Sequence, residues 1–190
     1  MPRPNWFLAF PLDGRFVLDL PPLPPSFRLF HPEDVHLTLT FLGGCGKDAA
    51  ERALTALDDA LRQKPVSGVE VSLGGVVPMG PKREYSALSA LLERGRVEMT
   101  ERIAALRDVA HEAALGRRET RAPKPHGTIA RPQRRATEAA RAAGLQWAAA
   151  LDLRAIEASL NRIALYTWSE GNRRERLFRI VAERTLAGPG

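Results

Sequence analysis

Cysteine is all but missing. Cys45 is the only one among 190 residues, so no disulfide can form within the chain and a reducing compartment is expected. Long apolar runs are absent too: none approaches the roughly 18 residues needed to cross a bilayer. The short apolar stretch at residues 6–12 ends at Asp13, without the longer apolar core and small-residue cleavage site of a secretory signal. These absences predict a soluble, cytoplasmic protein that keeps away from membranes. Glycine and proline, at 15 each, are too few for a collagen, and the composition is not that of a disordered chain. With 44% hydrophobic and 26% charged residues, the chain can bury a real core, and its length suits a single domain over residues 1–190.

Acids are scarce in one window. Over residues 117–135, seven basic residues (Arg117, Arg118, Arg121, Lys124, Arg131, Arg134 and Arg135) face only Glu119, a local excess that accounts for the whole formal charge of +6. A weaker basic cluster covers residues 173–184. A solvated Arg-rich loop has this composition. So does a positive field around one site, which would attract a polyanion such as RNA. The presence of His126 inside the window favours the second reading.

Apolar periodicity predicts strands over residues 5–10, 26–30, 35–42, 69–77, 85–91, 126–130, 151–158, 162–168 and 176–184. Helices are expected over 48–62, from Met99 to near Gly116, and over 136–143, the last closed by Gly144. Asp48, with Glu51, is placed to cap the first helix, and Gly74-Gly75 suits a bulge. Residues 148–156 read equally well as helix, and 169–172 as a turn. Residues 35–42 alternate strictly, with His36, Thr38 and Thr40 on one face and Leu37, Leu39 and Phe41 on the core face. The order of elements predicts an α+β fold with mainly antiparallel pairing.

Histidine is the rare residue that carries chemistry here. Of four histidines, two begin matching tetrapeptides, His36-Leu37-Thr38-Leu39 and His126-Gly127-Thr128-Ile129. On a strand, residues i and i+2 share a face, so each tetrapeptide projects an imidazole and a hydroxyl together. Two such strands side by side would surround one small site. An imidazole titrates near neutrality, so one ring can take a proton from water while the other gives one to a departing ribose oxygen. The threonine hydroxyls would donate to phosphate oxygens where charge accumulates. That set suits cleavage of a phosphate ester without a metal.

The paired motifs, 90 residues apart, resemble those of the two-histidine phosphoesterase superfamily, and most closely the bacterial LigT-like (ThpR-type) RNA 2′,3′-cyclic phosphodiesterases, once called 2′-5′ RNA ligases. The likeness also covers Phe7-Leu8-Ala9-Phe10, the segments flanking both motifs, and the order of helices and closing strands. The resemblance implies a bilobal fold, with two pseudo-symmetric lobes of antiparallel sheet and outer helices around a central cleft. It implies opening of a terminal 2′,3′-cyclic phosphate to a 2′-phosphate with no cofactor or metal, on RNA or a cyclic nucleotide, by a monomer. By the same resemblance, His36 matches the acid that protonates O3′ and His126 the base that activates water. Thr38 and Thr128 match the phosphate-binding hydroxyls, Arg131 a basic residue that contacts the phosphate or the base, and Phe10 a site-lining aromatic that can stack on a base. Gly127 departs from the family, which usually carries a bulky apolar residue there, and a looser second strand is expected. Two other readings stay open: ligation of RNA through the same site run in reverse, and a nucleotide- or RNA-binding module with little turnover.

Weaker signals point elsewhere. His31, Glu33, Asp34 and His36 are close in sequence but fit no standard zinc spacing, and Gly43-Gly44-Cys45-Gly46-Lys47 lacks the residues of a nucleotide-triphosphate loop. His111 is expected at the surface of its helix, and Trp6, Trp147 and Trp168 in the core. Whether Lys82, Arg83 and Tyr85 face the cleft is not legible.

Overall fold

In the computed structural model, which describes residues 3–81 and 84–187, strands and helices alternate much as the periodicity predicts. The strands are β1 (Trp6–Pro11), β2 (Phe27–Leu29), β3 (His36–Gly43), β4 (Val69–Met79), β5 (Ala87–Leu92), β6 (His126–Pro132), β7 (Glu157–Leu160), β8 (Arg162–Trp168) and β9 (Phe178–Thr185). The α-helices are α1 (Lys47–Gln63), α2 (Arg96–Leu115) and α3 (Glu138–Ala149). The strands form one curled sheet in the order β7-β4-β5-β6-β3-β1-β8-β9, with β2 added against β6. Every pairing between these strands is antiparallel. The fold is α+β, as expected.

The seam between β3 and β6 organises the molecule. These strands pair at a single position, Leu37 opposite Gly127. Four strands lie on either side of the seam, β3-β1-β8-β9 and β6-β5-β4-β7. Because side chains alternate along a strand, the sheet has a covered and an open face. Trp6, Leu8, Phe10, Leu37 and Leu39 point into the main core, with Leu57 of α1 and Met99, Ile103 and Leu106 of α2. Phe7, Ala9, Ala164 and Tyr166 form a smaller apolar cluster on the other face.

The alternation predicted for residues 35–42 fails half-way along. Leu8 pairs with Thr40 and Ala9 with Thr38, which leaves Leu39 as an extra residue in β3. Such a bulge flips every side chain beyond it. Thr40, expected beside His36 and Thr38, is buried (3% exposed), while Phe41, expected in the core, stands 49% exposed on the open face. The Gly74-Gly75 irregularity does occur, as a register shift between Leu73 and Val76.

Helix ends also differ from the reading. α1 starts after Gly46, with no side-chain cap from Asp48. α3 does not stop at Gly144 but runs on to Ala149, and residues 151–156 form no regular element, so the strand expected from 151 begins only at Glu157. Gly144 is there for close packing. A Cβ at that position would overlap the Phe27 ring and lie 2.7 Å from the Tyr85 hydroxyl. Gly144→Ala should therefore destabilise the fold by about 1–3 kcal/mol despite the better helix propensity of alanine, seen as a lower midpoint of urea unfolding. Tyr85 is buried rather than in the cleft. Its hydroxyl donates to the Arg141 carbonyl at 2.7 Å, and the Arg141 guanidinium donates back to the Tyr85 carbonyl at 2.5 Å, which clamps α3 onto the sheet. Lys82 and Arg83 lie outside the described residues. His111, expected at the surface, is buried, and its ring pairs with the Arg117 carbonyl at 2.7 Å just past the end of α2.

Candidate active site

The seam brings the two tetrapeptides together. An antiparallel pair is two-fold symmetric about the position where the strands meet, here Leu37 and Gly127. His36 thus lies on the Thr128 side and Thr38 on the His126 side, and all four side chains line one cleft of about 550 Å³ on the open face. The backbone repeats the symmetry. His36 Nδ1 sits 2.6 Å from the Asp34 carbonyl and His126 Nδ1 2.6 Å from the Lys124 carbonyl, each two residues upstream. A carbonyl only accepts, so each ring must carry its Nδ1 hydrogen, and the chemistry is left to Nε2. Neutral, Nε2 is a base; protonated, it is an acid.

The half-sites differ in what surrounds them. The His36 ring packs against Phe7 (centroids 4.8 Å apart) and Tyr166 (5.3 Å), with the Phe178 edge at 5.7 Å. This aromatic wall removes water, and the loss of solvation, helped by the positive charge of Arg131, drives the His36 pKa from 6.5 down to about 4. At neutral pH this favours the neutral His36 ring. An anion at the seam should reverse this. A titration of the His36 ring by NMR is expected to show a midpoint near 4 in the free protein and a clear rise with inorganic phosphate bound; an unmoved midpoint would place the anion elsewhere. On the other strand, Ser89 of β5 is fully buried opposite Thr128, and the two hydroxyl oxygens are 3.1 Å apart, so Ser89 holds the Thr128 hydroxyl in place. Its counterpart beside Thr38 is Ala9, which has no such group.

A sequence profile of the 2′-5′ RNA ligase superfamily matches residues 24–172, a span that contains both motifs and most of the sheet. The chain belongs to the 2′-5′ RNA ligase superfamily. Solved structures agree in fold. Escherichia coli LigT in its apo form superposes with a TM-score of 0.66 at 17% identity, covering 97% of this chain and 99% of that one. TT0787 of Thermus thermophilus gives 0.64 at 20% identity over 98% and 100% of the two chains. Kluyveromyces marxianus Usb1 gives 0.55 at 15% identity over 97% of each. LigT has also been solved with ATP, with 3′-AMP and with phosphate. No curated protein matches the chain in sequence.

Within this member of the superfamily, the other predicted residues divide. Arg131 lines the cleft with its guanidinium 5.0 Å from the centre of the Phe30 ring. Phe10 does not line it. It is fully buried in the main core, because it lies on the face of β1 that turns to the helices, and Phe7, on the opposite face, is the aromatic in the cleft. Trp168 is likewise displaced from its expected place. It ends β8 half-buried at the cleft wall, with the Arg173 guanidinium 4.5 Å from its ring centre. Trp6 and Trp147 are in the core, as expected. The missing bulk at Gly127 leaves no void: Leu12 and Val35 stand 3.7 and 3.9 Å from where its Cβ would be, and β6 is paired on both flanks.

Asp34, which the sequence suggests only as one of a cluster without zinc spacing, instead braces His36. Its carboxylate is completely buried and accepts the backbone N–H groups of Leu177 (2.7 Å) and Phe178 (3.0 Å), the first of them 143 residues away. Burial pushes its pKa up while those two bonds pull it down. One residue therefore holds the His36 ring by its carbonyl and, by its side chain, the segment that packs Phe178 on that ring. It is not part of a metal cluster: His31 Nδ1 instead accepts from the Glu33 N–H, and among the described residues no three metal-ligating side chains gather. The basic window is only partly free. Arg118 pairs with Glu112 and Arg121 with Glu119, while Arg134 and Arg135 are exposed.

Proposed function

We propose that the chain hydrolyses RNA 2′,3′-cyclic phosphate ends to 2′-phosphates by acid–base catalysis between His36 and His126. The observation that carries the reading is the two-fold site at the seam: two imidazoles locked in the same tautomer, each offering Nε2 to one cleft that also holds two threonine hydroxyls and Arg131. A phosphate centred there meets donors on both sides. Thr38, Thr128 and Arg131 bind its non-bridging oxygens, where negative charge grows as a fifth oxygen approaches. Water attacks phosphorus and gives a proton to one Nε2; the P–O3′ bond breaks; O3′ takes a proton from the other Nε2; a 2′-phosphate remains. The two rings end with their protons exchanged and reset through solvent.

Roles carried over from the resemblance make His126 the base and His36 the acid. A neutral His36 cannot begin as the acid. The bound phosphate supplies what is needed, since its negative charge beside the ring favours the protonated form and opposes the desolvation that empties it. The reaction runs in the cytoplasm on a monomer in this reading.

The test is direct. An oligonucleotide ending in a 2′,3′-cyclic phosphate, incubated with the protein and EDTA, is expected to give a 2′-phosphate end, resolved by chromatography against 2′- and 3′-phosphate standards. A 3′-phosphate product, or turnover only on addition of Zn²⁺ or Mn²⁺, would overturn the scheme. Joined strands on addition of a 5′-hydroxyl acceptor would assign the reverse reaction instead.

A further inference from the structure

Beyond Thr38, β3 diverges from β6, because the strands meet only at Leu37 and Gly127. At the other end of the seam, beyond Thr128, the corresponding space is taken by β2, whose residues Phe27 to Leu29 pair with Pro132 to Ala130. At the Thr38 end no strand fills it among the described residues. A second hollow of about 360 Å³ lies there, between β3, α2 and residues 119–124. It opens into the histidine cleft, since Thr38, Phe41 and His126 line both.

Three features mark this hollow as a binding place. The first is Phe41, which the bulge turns out of the core and leaves 49% exposed at the border of the two spaces. An exposed phenyl ring beside a phosphate site is a surface on which a base can stack. The second is charge, with Arg107, Arg121 and Lys124 lining it against Glu119 alone. Arg107 donates to the Arg121 carbonyl at 2.6 Å and so fixes the loop, and Lys124 makes no ion pair among the described residues. The third is Thr40, which lines the hollow at 3% exposure with a hydroxyl that has no hydrogen-bond partner. A buried hydroxyl left unsatisfied is uncommon and costly.

We propose that this second hollow binds the nucleotide that precedes the cyclic-phosphate end, so that the substrate is an RNA strand rather than a free cyclic nucleotide. The inference rests on the phosphodiesterase reading above. With the reacting phosphate at the seam, the terminal nucleoside occupies the wing walled by Phe7, Phe30 and Trp168. The preceding base stacks on Phe41, and the linking phosphodiester passes Lys124 and Arg121. A cyclic mononucleotide fills one wing only.

Binding of reaction products tests this without any need for turnover. By calorimetry, a diadenosine nucleotide ending in a 2′-phosphate is expected to bind about tenfold tighter than adenosine 2′-monophosphate. Phe41→Ala should bring that ratio close to one and Phe41→Trp should restore it, while Lys124→Gln should lower it and flatten its salt dependence. Phe41 and Lys124 are both exposed, so these variants should fold. Equal affinity in the wild-type protein, or binding of neither product, would overturn the inference. So would a preference that survives Phe41→Ala, since that is what non-specific attraction of an added phosphate to a basic surface gives. Failure to hydrolyse any cyclic phosphate would strike the phosphodiesterase reading alone and leave these affinities to be read.

Discussion

His36→Ala and His126→Ala are each expected to lower kcat on a cyclic-phosphate RNA end by about 10²–10⁴-fold, with a far smaller effect on the affinity for the 2′-phosphate product. The reason is the division of labour at the seam. In the proposed scheme binding is shared among Thr38, Thr128 and Arg131, which line the cleft, whereas each proton transfer depends on one Nε2. Because the two rings act as a unit, the double variant should be little worse than either single one. The wild-type rate should rise and fall with pH, since one ring must be neutral and the other protonated. Stability should carry the mark of His36 as well. Its pKa of about 4 in the folded chain lies below the ordinary 6.5, so the unfolded chain binds more protons between those values. The stability associated with the neutral ring is complete above pH 6.5 and is lost as the pH falls towards 4. His36→Ala should remove that part of the acid sensitivity, measured as urea midpoints between about pH 7 and pH 4. A single variant with wild-type turnover would return the protein to a binding module.

Asp34→Asn should lower both stability and activity, although Asp34 touches no substrate. The carboxylate gives one oxygen to each of two backbone N–H groups, at Leu177 and Phe178, in a fully buried place. An asparagine offers one oxygen and turns an NH₂ group against the second donor. Leaving that donor unsatisfied costs about 1–3 kcal/mol, or roughly 3–10 °C in Tm for a chain of this length. The segment it releases carries Phe178, whose ring stands edge-on to His36 and to Phe7, at 5.7 and 4.9 Å between centroids. Water entering there would raise the His36 pKa from about 4 towards the ordinary imidazole value. A merely structural role would lower Tm and leave the alkaline limb of the kcat–pH profile, which the acid His36 sets, where it was. A positioning role moves that limb to higher pH, and this is the outcome expected.

The proposed local chemistry was legible because it needs only local rules. A period of two places a histidine and the threonine two residues on together wherever the strand lies, and both motifs do lie on strands, β3 and β6. The strand and helix pattern was legible for the same reason. Errors fell where a neighbour decides. Gly144 reads as a helix stop, but the Phe27 ring and the Tyr85 hydroxyl need the space a side chain would take. His111 reads as a surface residue, but a loop carbonyl from Arg117 covers it. Phe7 and Phe10 are equivalent in sequence as aromatics of one strand, and only the packing of helices on one face of β1 separates the cleft aromatic from the core aromatic.

By itself, then, the amino-acid sequence determined which groups can do chemistry, because side-chain identity and strand period are properties of the chain alone. Tertiary structure decided which partners those groups meet. The single pairing of Leu37 with Gly127 sets the two half-sites against each other, the bulge at Leu39 turns Phe41 outward, and Asp34 reaches across 143 residues to the segment that holds Phe178 against His36. Contacts of that kind depend on register and on what fills the space beyond, and neither is written in any short stretch of the chain.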